Sequence, residues 1–213
     1  AVRDNEHIFG QFLWTGIDYL GESGRWPSRG LYTGLVDFGG FIKPRGYFRQ
    51  SLWTDQPMIY VGTYPKPVGR RAGYLSQDAW PVWNYDKEGD TIRVVCYTNA
   101  PKARLELNGR TIGMEKTYDD STGIIYWDIP YQAGKLEAIG LDVTGREVSR
   151  YAIESSDRPY AITITEDVAE VSKNKGLARI VLQVTDERGI PVMLSDDEIT
   201  CHVSGPVRLL GLE

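Results

Sequence analysis

The sequence predicts a mainly β protein built around a β-sandwich, and three observations carry that prediction. Glycine (23), proline (11), tyrosine (13) and tryptophan (6) are plentiful among the 213 residues, a set that suits short strands and turns better than a helical bundle. Between residues 58 and 156, alternating apolar and polar runs recur with turn residues between them, which is the pattern of a sandwich of about 100 residues. One of those turns is Asn108-Gly109, flanked by Leu105, Leu107 and Ile112. An Asn-Gly pair can take positive φ at both central positions, as a type I′ hairpin needs.

Taken in order, Ile8 to Trp14 is a short apolar run closed by turn residues and reads as a buried strand. From Thr15 to Pro44 the chain holds too many glycines for helix and too little alternation for a long strand, so it reads as a long structured loop. Gly46 to Trp53 places Phe48, Leu52 and Trp53 at helical spacing just after Pro44, which predicts a short amphipathic helix.

The sandwich strands follow. Thr91–Tyr97 puts Ile92, Val94 and Cys96 on one face. Arg104–Ile112 is the hairpin, Ile124–Pro130 and Lys135–Leu141 are further strands, and Asp142–Val148 reads as strand, turn, strand. Near Asp157 a new series begins: Tyr160–Thr165, Ala178–Val184 with Ile180, Leu182 and Val184 on one face, a turn at Asp186–Gly189, and Glu198–Val203. This order predicts the opening of a second sandwich that stops in mid-pattern.

Charge and spacing remove several function classes. The net charge is −5 and Arg70-Arg71 is the sole adjacent basic pair, so no concentrated basic face exists for nucleic acid. No apolar run approaches the ~20 residues that span a bilayer. The start, Ala1 to Glu6, lacks a leader pattern. Cys96 and Cys201 lie in alternating runs and read as two buried free thiols, with a disulfide as the alternative. His7 and His202 are too far apart for a zinc-ligand spacing. No metal and no cofactor is expected. There is no Gly-x-Ser-x-Gly elbow, and Gly39-Gly40 precedes no phosphate-binding helix pattern.

The most distinctive stretch is Gly10 to Glu22. Trp14, Asp18, Tyr19 and Glu22 cluster at the exit of the predicted strand, a placement that forms ligand faces in α/β barrels. The other reading is a packed aromatic corner in which Asp18 caps a turn. Trp80 and Trp83 are likewise open to two readings, a carbohydrate platform or a core plug.

The run Phe12 to Glu22, then Trp26-Pro27, Gly34 to Pro44 and Tyr47 to Trp53, resembles the end of the catalytic barrel of family 2 glycoside hydrolases, in particular the β-galactosidase-like branch. Trp80-Pro81-Val82-Trp83-Asn84, Tyr97-Thr98-Asn99, Leu105 to Gly109, and Trp127 to Tyr131 with Gly134 are similar to the immunoglobulin-like domain that follows that barrel. Leu177 to Val184, Asp186 to Gly189 and Val203 to Pro206 resemble a further sandwich. The resemblance implies an immunoglobulin-like β-sandwich preceded by a remnant of the last strand and helix of a (β/α)8 barrel. It divides the chain into a barrel remnant (1–57), the sandwich (58–156) and an incomplete second sandwich (157–213).

It also implies roles. Trp14 matches the tryptophan that floors the sugar ring, whose C–H face stacks on an aromatic plane. Asp18 and Glu22 match acidic positions beside that floor, as hydroxyl partners or as groups that order the loop. Lys43 matches a basic position before the last helix. Retaining glycosidases need two carboxyl groups about 5–5.5 Å apart. In the family these lie on earlier barrel strands, so no catalytic residue is expected in this chain.

The implied function is the C-terminal part of a retaining β-galactosidase-like hydrolase, itself inactive, with carbohydrate and the upstream barrel as partners. The alternative is a non-catalytic carbohydrate-binding or structural β-sandwich module. Self-association is a further expectation, since the apolar faces of the first segment need cover. By resemblance alone, the location is periplasmic or extracellular in a bacterium.

Overall fold

The computed structural model describes residues 5–167, 172 and 176–212; Ala1–Asp4, read above for a leader pattern, lie outside them. In chain order, strands β1 (Tyr19–Leu20) and β2 (Gly30–Leu31) are followed by helix α1 (Pro44–Trp53). Next come β3 (Ile59–Pro65), β4 (Thr91–Thr98), β5 (Lys102–Leu107), β6 (Arg110–Thr117), β7 (Ile125–Pro130), β8 (Lys135–Leu141) and β9 (Glu147–Glu154). Strands β10 (Ala161–Glu166) and β11 (Ile180–Thr185) close the series.

Strands β3 to β9 form the predicted sandwich. One antiparallel sheet has the order β3-β4-β7 and the other β6-β5-β8-β9. The β4–β5, β6–β7 and β7–β8 connections each pass from one sheet to the other, as in a Greek key. The Asn108-Gly109 turn joins β5 to β6 with φ of 52° and 74°, the left-handed pair that a tight hairpin demands. At the sandwich edge, Trp127 Nε1 donates to the Met114 carbonyl at 2.8 Å and so pins β7 to β6 across the sheets.

Between the sheets lies a core of Val61, Ile92, Val94, Cys96, Leu105, Trp127, Leu136 and Ala138. Trp83 is part of it at 1% exposure, donates Nε1–H to the Gln132 carbonyl at 3.1 Å and meets the Tyr131 ring edge-on at 5.1 Å. Trp83 is therefore the core plug, and Trp80 alone of the pair is half-exposed. The Cys96 thiol is buried, while Cys201 is partly exposed; both are free.

Strand β4 is buried on both faces, because Val95 and Tyr97 enter a second cluster with Tyr60, Ala79, Ile124 and Phe48. Phe48 comes from α1, so the helix covers the outer face of the β3-β4-β7 sheet. Its ring stands edge-on to Tyr97 at 5.4 Å, and Tyr47 stacks on Tyr60 at 4.5 Å. The phenols find partners: Tyr60 donates to the Ala79 carbonyl, and Tyr97 donates to Ser76 while accepting from Ala79 N–H. Burial holds both phenols far above their ordinary range, so they stay protonated donors; burial pushes Tyr151 beside them up to about 12.

Three local expectations are corrected. Ile8–Trp14 is not a buried strand: it has no ladder, and Phe9 and Phe12 are each 96% exposed. An apolar run becomes a strand only where another strand supplies hydrogen-bond partners, and no described strand does so here. Helix α1 buries Phe48 but exposes Leu52 and Trp53, so its apolar pattern is split between two directions. Glu198–Val203 pairs with no described strand, so among the described residues the second series consists of the antiparallel β10/β11 pair and the turn at Asp186–Gly189 that follows it.

Ion pairing ties the long β3–β4 connection to the sheet. Buried Arg93 grips Asp128 at 2.7 and 2.9 Å and donates to the carbonyls of Ala72 and Tyr74, while Lys66 approaches Asp128 at 3.1 Å. The hydrogen bonds from Arg93 hold the Asp128 carboxyl below its usual range. A depressed carboxylate stabilises above its unfolded pKa of about 3.9 and loses that contribution as pH falls through the folded value.

Two outcomes follow. Phe48→Ala should cost about 3–4 kcal/mol in urea denaturation and should expose Tyr60 and Tyr97 to solvent. Asp128→Asn should cost about 2 kcal/mol at pH 7, since it strands the Arg93 charge. The gap to the parent chain should close as pH falls below about 4; a gap independent of pH would rule out the ionised pair as its source.

Candidate functional site

The candidate site is built on the loop that precedes α1. Its foundation is Asp18, 4% exposed, paired with Lys43, 7% exposed. Lys43 Nζ donates to both Asp18 oxygens and to the Tyr32 carbonyl, each at 2.9 Å. Asp18 Oδ1 also accepts the Gly34 N–H at 2.7 Å. A buried ion pair persists only when its remaining valences are also met, and here they are. Gly34 is required by proximity: a Cβ there would sit 2.4 Å from the Asp18 nitrogen.

Backbone bonds lace the same residues together. Val36 N–H donates to Gly16 at 3.0 Å and its carbonyl accepts from Asp18 at 2.9 Å. Lys43 N–H donates to Leu35 at 2.8 Å. At the start of α1, Arg45 donates to Asp78 through Nε at 3.1 Å and pairs with it again through Nη2. The loop is thereby fastened to the sandwich as well as to itself.

Above this foundation stands a second, open cluster. Trp14 is 71% exposed; its Nε1–H donates to Tyr19 Oη at 3.1 Å, and the two rings meet edge to face at 6.2 Å and 83°. The Tyr19 hydroxyl donates to Glu22. That hydrogen bond raises the Tyr19 phenol above its ordinary range, so it remains a donor at neutral pH. Glu22 is held at φ 45° after Gly21 at φ 90°. An L-residue in the left-handed region is uncommon and, where local contacts sustain it, marks a turn built for a purpose. The indole edge is thus fixed while the ring surface faces solvent. Phe12, Leu20 and Trp26 are exposed as well.

Of the sequence-predicted residues, Trp14 and Glu22 come together through Tyr19, while Asp18 lies beneath them with both oxygens engaged. The loop-ordering option for Asp18 is the one that this geometry favours. Tyr19, which the sequence places in this cluster without a role of its own, is the link between Trp14 and Glu22, and Gly34 is the contributor that sequence reasoning passed over. A tyrosine between a tryptophan and a glutamate at hydrogen-bond reach was the available signal for the first; nothing local signalled the second, whose partner is 16 residues away. Among the described residues no cluster of His, Cys, Asp and Glu could hold a metal ion, and no helix is long and apolar enough to cross a membrane.

A family profile described as a domain of unknown function, DUF4982, matches residues 89–149, which cover β4 to the start of β9. A β-galactosidase of Bacteroides ovatus is 30% identical across the whole chain, which spans 23% of that protein. A β-glycosidase of Bacteroides vulgatus superposes with a TM-score of 0.71 at 33% identity, covering 85% of this chain and 21% of its own. A family 2 glycosyl hydrolase of Bacteroides cellulosilyticus superposes with a TM-score of 0.73 at 28% identity, covering 91% and 26% respectively. The chain therefore spans about a quarter or less of the relatives it matches.

Asp18→Asn should leave the Lys43 ammonium buried without a counter-charge and cost about 3 kcal/mol. Amide hydrogen exchange should quicken at Gly34, Val36 and Lys43 while β5 and β8 stay protected. The paired change Asp18→Leu with Lys43→Met should recover most of the loss.

Proposed function

The resemblance of this chain to family 2 glycoside hydrolases holds along its whole length, and from that premise we propose that it is part of a retaining β-galactosidase-like enzyme. In this reading residues 1–57 close the catalytic barrel, 58–156 form the immunoglobulin-like sandwich behind it, and 157–213 begin a second one. Trp14 floors a sugar subsite, Glu22 accepts from a hydroxyl group of the sugar, and Asp18 with Lys43 holds the loop that carries both.

The observation that carries this reading is the exposed Trp14 ring, immobilised at its edge by Tyr19 and Glu22. A flat aromatic surface stacks on the C–H face of a pyranose, and a carboxylate beside it accepts from the hydroxyls at the rim. Fixing the indole beforehand lowers the ordering cost of binding.

The acid/base and the nucleophile come from the rest of the parent enzyme. Asp18 is neutralised by Lys43, Glu22 is bonded to Tyr19, and Asp37 Oδ1 accepts from Phe41 N–H at 2.8 Å. None of them stands free in a desolvated pocket where a general acid could be tuned. In the parent, one carboxylate would attack the anomeric carbon and expel the aglycone as the other protonates it. Water activated by the second group would then release the sugar with its configuration retained. By the family resemblance alone, we place the enzyme in the periplasm or outside the cell. The exposed Phe9, Phe12 and Trp26 are surfaces for the remaining barrel to cover.

The test uses the longer gene product with a panel of aryl β-glycosides. The expected result is hydrolysis of galactosides with the β-anomer formed first, read by NMR, and a fall of about 10²-fold in kcat/KM for Trp14→Ala. First formation of the inverted anomer would overturn retention. Tight galactoside binding by this 213-residue chain alone would favour the non-catalytic binding module instead.

A further inference from the structure

We propose that Arg179, far along the chain, is a positioning residue for the Trp14 wall and acts through the turn at Asp37–Phe41; the inference rests on the reading of Trp14 as a sugar floor. Arg179 precedes β11 and is anchored by Asp167, whose Oδ1 accepts the Arg179 backbone N–H at 2.9 Å and whose Oδ2 lies 3.5 Å from Nε. So held, the guanidinium projects away from its own hairpin. Its Nη1 donates to the Gly39 carbonyl at 2.9 Å, across 140 residues of sequence, and its central carbon lies over the Phe41 ring, 5.3 Å from the centroid. A Cβ at Gly40, where φ is 84°, would sit 2.6 Å from Nη1, so the turn leaves room for this guanidinium at the position where a side chain would begin.

The turn it grips is short and closed. Asp37 N–H donates to Phe41 at 2.9 Å and Gly40 N–H donates to Asp37 at 3.2 Å, while Asp37 Oδ1 takes the Phe41 N–H at 2.8 Å. Its two ends are the residues that order the wall. On one side, Leu35 N–H donates to the Thr15 carbonyl at 3.2 Å, directly after Trp14, and Val36 is bonded to Gly16 and Asp18. On the other side, Lys43 reaches Asp18. Displacing the turn therefore moves the backbone immediately behind the indole. Arg179 supplies a directional bond and a cation–ring contact at once, from a fixed guanidinium fork that a lysine lacks.

Two measurements separate this coupling from the enzymatic reading. In the 213-residue chain, indole and amide resonances are followed by heteronuclear NMR, with the Trp14 signal assigned by Trp14→Phe. Arg179→Ala should shift Gly40, Phe41 and the Trp14 indole together, and Arg179→Lys and Asp167→Ala should produce smaller shifts of the same signals. Movement of Gly40 and Phe41 with a stationary Trp14 indole would overturn the coupling, as would no movement at any of them. In the longer gene product, Arg179→Ala should raise KM for an aryl galactoside about 5-fold while kcat changes less than about 2-fold, and Arg179→Lys should recover part of the loss. An active galactosidase indifferent to Arg179→Ala would also overturn the proposal. A gene product without glycosidase activity would sink the sugar-site reading alone, and the NMR comparison would still decide the coupling.

Discussion

A strand buried on both faces sets the terms for the rest of this molecule. Strand β4 sends Ile92, Val94 and Cys96 between the sheets and Val95 and Tyr97 to the other side. The second set would be an apolar, aromatic surface facing water unless something covered it. Helix α1 does so by seating Phe48 among Tyr60, Tyr97 and Val95. Once the helix is fixed there, its N-terminal residues are fixed too, and Lys43 and Arg45 are the charges that organise the preceding loop.

The acidic residues of that loop divide by burial. Asp18 faces Lys43 in the interior, with donors on both oxygens, and so it fastens one part of the loop to another. Glu22 remains at the surface, where it receives the Tyr19 hydroxyl and leaves acceptor capacity toward solvent. The same functional group therefore serves as scaffold in one place and stands open to solvent in the other. The deciding quantity is how many valences the protein itself consumes. Trp14 follows the same rule: its polar edge is satisfied from within while its ring surface stays open.

Beyond the sandwich, contacts at two distant points join the last hairpin to the rest. Near the linker, Arg188 pairs with Glu154 at 2.8 Å and donates to the Ser155 carbonyl, and buried Asp186 accepts the Asp157 N–H at 3.0 Å. On the sandwich side, Asn84 exchanges hydrogen bonds with Ser156. At the far end, Arg179 touches Gly39 and Phe41. A strand pair held at two distant points is constrained in rotation as well as in position, as the role proposed for Arg179 requires.

Local patterns in the chain were enough for the mainly β class, for strands β4, β5, β7, β8, β10 and β11 to within a residue or two, and for the Asn108-Gly109 hairpin. These are local matters: alternation of period two and permission for positive φ are written in adjacent residues. The sequence also carried the family resemblance, because Trp14 to Glu22 is a contiguous word. It misplaced Ile8–Trp14 and Glu198–Val203, where apolarity was present but ladder partners were not. It could not decide whether Trp83 is a plug or a platform, whether Asp18 faces solvent or Lys43, or that Gly34 and Arg179 matter at all. Those outcomes depend on contacts between residues 16, 25 and 140 positions apart. Only the folded chain brings such residues together, because burial and hydrogen-bond satisfaction are settled by the whole structure, whereas the run of neighbours in sequence settles only the local conformation.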